Sequence, residues 1–410
     1  MIDFVLLRTE EVGTFFMKVV DDAHKAEYGI KPDVVAAAPG RFHLIGEHSW
    51  FFKDKTLSMA VNLPVYVALS KRTDSSFRFY FKQLDERKRA NLNSLKLKKE
   101  DRWANAIKAV IYGFTSGGFD LDGGADITVY SDILPSAGFG ITTAIKVAAA
   151  LGIRRLFGLR CDDNAFLQVI ERGNRLFLQQ QNYNSDIFSA MFSKKDCLIV
   201  TDHTKNSYEN VPVPFKDKKV LLIDLSVPRV SLWNEESLFE PENALLLGDM
   251  RESKSSVFGG WQYISDVTDV NEELSVVSED TRRKLLCIMR EHGDVLEAVK
   301  ALEKNDFSRF ARTVNHSYES LRDYYDLSCP EINWILKRVS EIEPNLESMR
   351  EPVSCGRITG KGFGRCVYTV LREQDVDKFK EKLVEYEHIF GFHPSCYEVH
   401  SADGAHIVEG

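Results

Sequence analysis

The chain has 410 residues, of which 44% are hydrophobic and 28% are charged, the composition of an ordinary soluble globular protein. This length exceeds what one hydrophobic core usually supports and predicts two domains. The formal net charge of -8 argues against a general surface for nucleic acid or for an anionic membrane, although a local basic pocket stays possible.

The first twenty residues, "MIDFVLLRTEEVGTFFMKVV", carry acidic side chains within an apolar run. They indicate an amphipathic helix and not a signal peptide. No apolar run approaches the 18 residues of a transmembrane helix. The seven cysteines are scattered without a CxxC pair, which favours neither a disulfide framework nor a zinc site. A reduced, cytoplasmic protein is therefore expected.

The amino-terminal half alternates between helical and strand patterns. The stretch "VVAAAPGR" predicts a strand that ends in a turn at Pro39 and Gly40. Two alternating stretches, "LSMAVNLPVYVALSKR" and "SSFRFYFKQLD", predict a pair of antiparallel strands. The other predicted elements are helices at 11–28, 103–116 and 163–181, a strand in "GADITVYSDI", and a helix that opens after the glycine-bearing turn following Pro135.

The strand patterns "DCLIVTDH" and "KVLLIDLS" flank a polar, proline-bearing stretch at 202–219. We place the domain boundary there, which gives domains 1–212 and 213–410. The mixed order of elements predicts α+β layers and not a doubly wound sheet. The second domain is predicted to contain helices near 241–257, 281–303, 331–344 and 373–389, the last of them between strands in "RCVYTVL" and "CYEVH".

The segment 135–148, "PSAGFGITTAIKVA", has the small residues of a loop that lies close to a ligand. The helix behind it offers free N–H groups and the positive end of its dipole, which suit the phosphates of a nucleotide. Thr142 and Thr143 add hydroxyl groups that can bond phosphate or a magnesium shell. The alternative is a plain helix amino terminus with hydroxyl caps. The spacing is not that of a Walker A loop.

Two further segments carry candidate chemistry. Asp186 stands alone among uncharged residues in "NYNSDIFSAMF", where a carboxylate near apolar groups can act as a base toward a substrate hydroxyl. It is alternatively a helix N-cap. The glycine-rich stretch 356–366, "GRITGKGFGRC", is either a loop that contacts a ligand through its backbone or a hairpin turn.

Taken together and in this order, the segments resemble the GHMP small-molecule kinases, and within them the galactokinases. "APGRFHLIGEH" is similar to the first motif of that family, "PSAGFGITTA" to its phosphate-binding motif, and "GRITGKGFGRC" to its third motif. Residues 316–333, "HSYESLRDYYDLSCPEIN", closely resemble a segment typical of galactokinases. The resemblance extends over residues 36–370, nearly the whole chain.

The resemblance implies an S5-like amino-terminal domain and a ferredoxin-like carboxyl-terminal domain with the active site in the cleft between them. It implies transfer of the ATP γ-phosphoryl group to a sugar or polyol hydroxyl, with Mg²⁺. By position, Asp186 is the base and Arg41 the neighbouring cation that balances transition-state charge. Glu47 and His48 match residues that hold sugar hydroxyls. The phosphate loop corresponds to Gly138, Gly140, Thr142 and Thr143, with Thr142 the candidate metal ligand.

Several positions depart from the family pattern. Trp50 stands where galactokinases have an Asp that binds sugar hydroxyls, and Tyr183 stands where they have a Gly three residues before the base. The phosphate loop reads Ile141-Thr142-Thr143 in place of serines, Arg365 replaces the last glycine of the third motif, and a family tyrosine of the carboxyl-terminal domain has no clear equivalent.

Galactose itself is therefore a doubtful substrate. Trp50 either stacks on a sugar ring or closes the pocket, or it packs outward and leaves the pocket larger. A sugar kinase is the leading hypothesis, and a catalytically silent sugar- or nucleotide-binding sensor is the alternative.

Overall fold

A computed structural model describes residues 4–5, 11–48, 55–131, 138–180, 184–213, 215, 217–228, 278–342, 351–360 and 366–408. Trp50, Tyr183, Arg365 and the predicted helix near 241–257 lie outside these ranges. Within the described part, no helix has both the length and the apolar character needed to cross a membrane.

The chain divides into two compact units whose segments interleave along the sequence. Unit A comprises residues 6–42, 59–199 and 399–410, and unit B comprises residues 1–5, 43–58 and 200–398. The predicted boundary at residues 212 and 213 stays a prediction, because a boundary between family domains and one between packed units need not coincide.

The described helices are α1 (Glu11–Tyr28), α2 (Ala104–Ser116), α3 (Ile141–Leu156), α4 (Asp163–Arg172), α5 (Asn184–Phe192), α6 (Glu279–Glu303), α7 (Phe307–Asp323), α8 (Pro330–Ser340) and α9 (Val376–Phe390). The described strands are β1 (Phe4–Val5), β2 (Val34–Ile45), β3 (Lys55–Lys71), β4 (Ser76–Phe81), β5 (Glu86–Asn91), β6 (Ala125–Ser131), β7 (Cys197–Asp202), β8 (Ser207–Pro212), β9 (Lys218–Asp224), β10 (Cys355–Ile358), β11 (Cys366–Arg372), β12 (Ser395–Val399) and β13 (His406–Val408). Most predicted elements are confirmed, whereas β1, β5, β8, β10, β13 and α7 were missed. The helix predicted over the first twenty residues is wrong at Phe4–Val5, which pair as a strand with β12, and α1 begins only at Glu11.

The larger sheet follows the strand order β13-β2-β3-β6-β4-β5, and β7 pairs with β3 and β8. The predicted pairing of β3 with β4 is wrong, because β6 lies between them, antiparallel to β3 and parallel to β4. Gly124, just before β6, allows this insertion, since a Cβ there would lie 1.9 Å from the carbonyl oxygen of Ser76. The nearly all-buried β6 thereby takes a central place in the sheet.

The predicted turn at Pro39 and Gly40 is also wrong, because β2 continues through both residues to Ile45. Gly40 allows a close approach of neighbouring backbone here: a Cβ would lie 3.0 Å from the carbonyl oxygen of Phe139 and 3.1 Å from that of Leu63. The longer strand carries Arg41 in unit A and ends just before Glu47 in unit B.

The second sheet belongs to unit B, except that β12 ends at Val399 in unit A, and follows the order β1-β12-β9-β11-β10. Strands β10 and β11 form an antiparallel hairpin that pairs Cys355 with Val370 and Ile358 with Val367. Helices α8 and α9 pack on each other over a core that includes Leu221, Ile335, Phe379, Leu383 and Tyr386. The hairpin therefore holds Arg357, on β10, within the interior of unit B.

Candidate active site

An arginine–aspartate pair lies at the centre of the candidate site in unit A. Arg41 Nη2 is 2.6 Å from Asp186 Oδ2, and these side chains are only 10% and 14% exposed. Strand β2 supplies Arg41, and Asp186 lies in the first turn of α5, 145 residues further along the chain. The Coulomb attraction between the two charges is stronger in such surroundings than in water, although the cost of removing them from water offsets much of it.

The predicted phosphate loop lies directly against Arg41. The backbone N–H of Arg41 donates a hydrogen bond to the Phe139 carbonyl, with an N–O distance of 2.8 Å. Gly140 has φ +73°, and a Cβ there would lie 2.9 Å from Arg41 Cγ, so both the left-handed backbone and the close contact require glycine. The loop, Arg41 and Asp186 therefore form one compact group within unit A.

Helix α3 begins at Ile141, immediately after this loop. The N–H groups of its first turn have no partners within the helix and point toward the loop, which makes the helix start suited to bind an anion. Thr142 is exposed and Thr143 half-buried, so the hydroxyl of Thr142 is open to a ligand. The predicted position of both threonines at the helix start is confirmed.

Unit B holds the two predicted sugar-contacting residues that the structure describes. Glu47 and His48 form a turn just beyond β2, and both side chains are buried. The His48 ring packs against the Tyr325 ring with a centroid distance of 5.3 Å. Gly46 has φ +97°, and a Cβ at this position would lie only 2.6 Å from the carbonyl oxygen of Lys55. Glycine therefore lets the chain turn here.

Glu47 belongs to a buried network, which we call the carboxylate–arginine triad, that also contains Arg357 and Glu291. Arg357 Nη1 is 2.7 Å from Glu47 Oε1, and Arg357 Nη2 is 2.6 Å from Glu291 Oε1. Arg357 Nε also donates to Ser317 Oγ, and the Gly46 N–H donates to Glu291 Oε1 at 2.8 Å. One guanidinium thus orients two carboxyl groups and the turn that carries Glu47.

The triad contains two carboxyl groups but only one guanidinium group. The pKa values of its two carboxyl groups are shifted in opposite directions. Burial raises the pKa of Glu291 to about 7. The positive charge of Arg357 lowers this pKa, whereas the negative charge of Glu47 raises it further. Burial acts in the same direction on Glu47, but the charges of Arg357, His48 and His43 prevail and lower the pKa of Glu47. Glu47 is therefore the more readily ionised member, while Glu291 takes up a proton as the pH falls through about 7.

The second oxygen of Glu47, Oε2, is buried and accepts no hydrogen bond from the residues that the structure describes. A buried carboxylate oxygen without a donor is costly, because it has lost its water without gaining a partner. A hydroxyl group of a ligand would satisfy this oxygen.

The structure brings together Arg41, Asp186 and the loop at Gly138–Thr143 within unit A, and Glu47 and His48 are described within unit B. The roles assigned to these residues stay predictions. Sequence reasoning missed Arg357 and Glu291. Glu291 did carry a signal, because it lies on the same helical face as the buried residues Cys287, Val295 and Ala298, where an acid requires a partner.

Comparison with known families identifies three matching stretches. A galactokinase galactose-binding signature matches residues 22–71, the GHMP kinase N-terminal domain matches residues 102–194, and the GHMP kinase C-terminal domain matches residues 298–388. The first contains Arg41, Glu47 and His48, and the second contains the phosphate loop and Asp186.

Two similar proteins align with almost the whole chain. A putative galactokinase of Treponema pallidum is 38% identical over 393 residues, which covers 96% of this chain and 97% of that protein. A galactokinase of Thermotoga maritima is 29% identical, covering 90% of this chain and 99% of that protein.

Solved structures match the fold. The crystal structure of Lactococcus lactis galactokinase complexed with galactose has a TM-score of 0.80 at 18% identity and covers 95% of this chain and 99% of that one. The structure of Methanococcus jannaschii mevalonate kinase has a TM-score of 0.61 at 14% identity, with 90% and 98% coverage. The predicted two-domain α+β GHMP kinase fold is confirmed.

Proposed function

Because this chain belongs to the galactokinase-like GHMP kinases, a family of ATP-dependent sugar kinases, we propose that it transfers the γ-phosphoryl group of ATP to a sugar hydroxyl with Asp186 as general base. The observation that carries this proposal is the ion pair between Arg41 and Asp186 beside the loop at Gly140. A carboxylate held next to an anion-binding helix start has the acceptor needed for a hydroxyl proton.

In the proposed reaction, the substrate hydroxyl oxygen attacks the γ-phosphorus of ATP. The new O–P bond forms while the bond from phosphorus to the bridging oxygen of ADP breaks, and the hydroxyl proton passes to Asp186. Arg41 orients Asp186 through their ion pair and offsets negative charge close to the reacting group. Positioning and charge neutralisation supply most of the catalysis in such transfers.

The residues of unit A fit a magnesium ion that arrives with the nucleotide. Mg²⁺ in kinases is held by the phosphates and by one or two protein oxygens, and the hydroxyl of the exposed Thr142 at the start of α3 would be one of them. Among the described residues, no group of three or more His, Cys, Asp or Glu could hold a metal ion. When bound, the ion would neutralise charge on the phosphates.

The carboxylate–arginine triad supports a sugar as the substrate that receives the phosphoryl group. Arg357 occupies one oxygen of Glu47 and leaves Oε2 for a ligand, as a hydrogen-bonding site for a neutral polyol requires. A buried acceptor of this kind discriminates strongly against ligands that lack the matching hydroxyl.

The proposal is tested by measuring ADP release with a panel of hexoses, pentoses and polyols at saturating Mg-ATP. We expect turnover with at least one of them, and phosphate transfer is confirmed by mass spectrometry of the product. Absence of ADP release with every acceptor would instead support the second candidate, a sensor that binds nucleotide or sugar without chemistry. The departures at Trp50 and Tyr183 favour that candidate.

Nucleotide binding is expected to persist despite the altered loop. The backbone N–H groups at the start of α3 do not depend on side-chain identity, and the Thr142 hydroxyl can replace a serine hydroxyl. We expect calorimetry to detect binding of a non-hydrolysable Mg-ATP analogue, whereas Mg²⁺ alone produces no heat. Absence of both heat and thermal shift at millimolar analogue would contradict this expectation.

Galactose is expected to be a poor substrate of the wild-type protein. The aromatic side chain of Trp50 cannot supply the two acceptor oxygens of the family Asp, and Tyr183 adds a side chain where the family has Gly. We expect Trp50→Asp alone not to restore good turnover. The double variant Trp50→Asp with Tyr183→Gly should increase galactose turnover by more than the combined increases of the two single variants.

The measurement is ATP-coupled turnover on galactose for the wild type, both single variants and the double variant. Efficient galactose phosphorylation by the wild type would show that Trp50 is compatible with the pocket of an ordinary galactokinase.

A further inference from the structure

Helix α3 contains a buried lysine in an otherwise apolar stretch. Lys146 is only 7% exposed, while its helix neighbours Ala144, Ile145, Val147 and Ala148 are fully buried. An ammonium group in such surroundings loses its water and is stabilised only if charges or hydrogen bonds replace it. A lysine at this place in an apolar helix therefore calls for a physical reason.

The Lys146 side chain extends from the helix that carries the phosphate loop. Side chains on an α-helix lean toward its amino terminus, so the long lysine chain covers the turns nearest to Gly140. Helix α3 packs against α5, which carries Asp186. Burial lowers the pKa of Lys146 to about 8, and the charge of Asp186 opposes this effect, which indicates that the ammonium lies within the electrostatic reach of the candidate base.

The ammonium has unused hydrogen-bonding capacity. Its Nζ donates to Asn174 Oδ1 at 2.5 Å, from the π-helical turn Gly173–Phe177, and this is its only hydrogen bond among the described residues. An ammonium group has three N–H donors. Among the described residues, two donors of Lys146 therefore remain available in a buried position, on a helix that packs against the helix of Asp186.

A second buried lysine shows what a structural role looks like in the same unit. Lys108 on α2 is 1% exposed, and its Nζ bonds to the Lys96 carbonyl, Asp101 Oδ2 and Asn105 Oδ1. Three partners match its three donors, and one of them is a carboxylate. Among the described residues, Lys146 has a single, neutral partner, so a purely structural role does not account for it.

We propose that Lys146 is a further catalytic residue, whose ammonium donates hydrogen bonds to the γ-phosphoryl oxygens of ATP during transfer. This inference rests on the proposed function. Lys146 forms no covalent bond and keeps its proton, while the hydroxyl proton still passes to Asp186. A fixed ammonium in a site shielded from water stabilises the developing phosphoryl charge more strongly than it would in water.

The test is Lys146→Met, which removes the charge and keeps an unbranched side chain that is one heavy atom shorter. The described hydrogen-bond partner of Lys146 is the neutral Asn174, so removing the ammonium leaves no hydrogen-bonded carboxylate without its cation. We therefore expect the unfolding transition to stay unchanged or to rise, while kcat for the best sugar acceptor falls by about 10²-fold. The KM for the sugar should change little, because Lys146 contacts the phosphoryl group.

Calorimetry supplies a readout that does not need turnover. We expect Lys146→Met to lower the affinity for a non-hydrolysable ATP analogue by about tenfold and to change the affinity for ADP little. The reason is that only the ATP analogue has a γ-phosphate to accept charge-assisted hydrogen bonds from the ammonium. Lys146→Gln serves as a second variant should the Met variant fail to fold. Lys108→Met is the matched control, and it should lower the unfolding transition, because it leaves buried Asp101 without its cation.

A Lys146→Met protein with wild-type kcat and a wild-type ratio of ATP-analogue to ADP affinity would overturn the inference. So would destabilisation as large as that of Lys108→Met with the affinity ratio unchanged, since that pattern marks a structural lysine. If the wild type turns over no sugar, the proposed function fails, but the affinity ratio still decides whether Lys146 contacts the γ-phosphate.

Discussion

Asp186→Asn is expected to lower kcat by about 10²–10⁴-fold, the usual contribution of a general base. The amide retains an oxygen that can accept a hydrogen bond from Arg41, so the local structure at the 2.6 Å contact should persist. The amide does not accept the hydroxyl proton. Turnover in the sugar assay and calorimetry with the Mg-ATP analogue together measure the effect, and analogue binding should be retained.

Asp163→Asn is the matched control for this experiment. Asp163 also lies in the first turn of a helix of unit A and also faces an arginine, with Arg154 Nη1 3.5 Å from its Oδ1, but its side chain is 65% exposed. We expect wild-type turnover for the control. An Asp186→Asn enzyme with wild-type kcat would remove Asp186 from the mechanism.

Arg357→Met is expected to destabilise the protein by about 3–5 kcal/mol, the range for a buried ion pair that loses one partner. Without the guanidinium, Glu47 and Glu291 remain buried together without their shared countercharge. Of the described hydrogen bonds to Glu291, the one from the Gly46 N–H would remain. Urea unfolding, compared between variant and wild type, measures the change.

Two companion variants make this result specific to the triad. Arg338→Met removes an arginine whose Nη1 is likewise 2.6 Å from a carboxylate, that of Glu341, but this pair is 28% and 36% exposed and should contribute no more than about 1 kcal/mol. Glu291→Gln should cost far less than Arg357→Met, because the amide keeps an oxygen that accepts from Arg357 Nη2 and from the Gly46 N–H, and Glu47 keeps its cation. Equal unfolding transitions for Arg357→Met and Arg338→Met would contradict the role of the triad.

The elements that were predicted correctly depend on local information. Helix α1 at Glu11–Tyr28 and helix α6 at Glu279–Glu303 follow from apolar periodicity over several turns. The glycine-bearing turn before α3 follows from residue types that favour a left-handed backbone, which Gly138 and Gly140 adopt. Neighbouring residues decide such features, so a sequence pattern is sufficient to predict them.

The errors concern features that depend on distant parts of the chain. Strands β3 and β4 are close in sequence but do not pair, because the later strand β6 lies between them. Strand β2 continues through Pro39 and Gly40 because the backbone near Phe139 and Leu63 lies close to it. Turn-forming residues predict a turn only where tertiary packing does not extend the strand.

The sequence alone determined the α+β architecture and the resemblance to GHMP kinases, and through that resemblance Arg41 and Asp186 as a candidate pair. Motifs and hydrophobic periodicity depend on residues that are close together in the chain, so they can be recognised without the structure. Only the tertiary structure decided which charges meet in the interior. Glu47, Glu291 and Arg357 form one triad although they are far apart in the chain, and Lys146 on an apolar stretch of helix bonds Asn174 in the interior of unit A. The physical reason is that the cost of burying a charge depends on its partners in space, which no local pattern specifies.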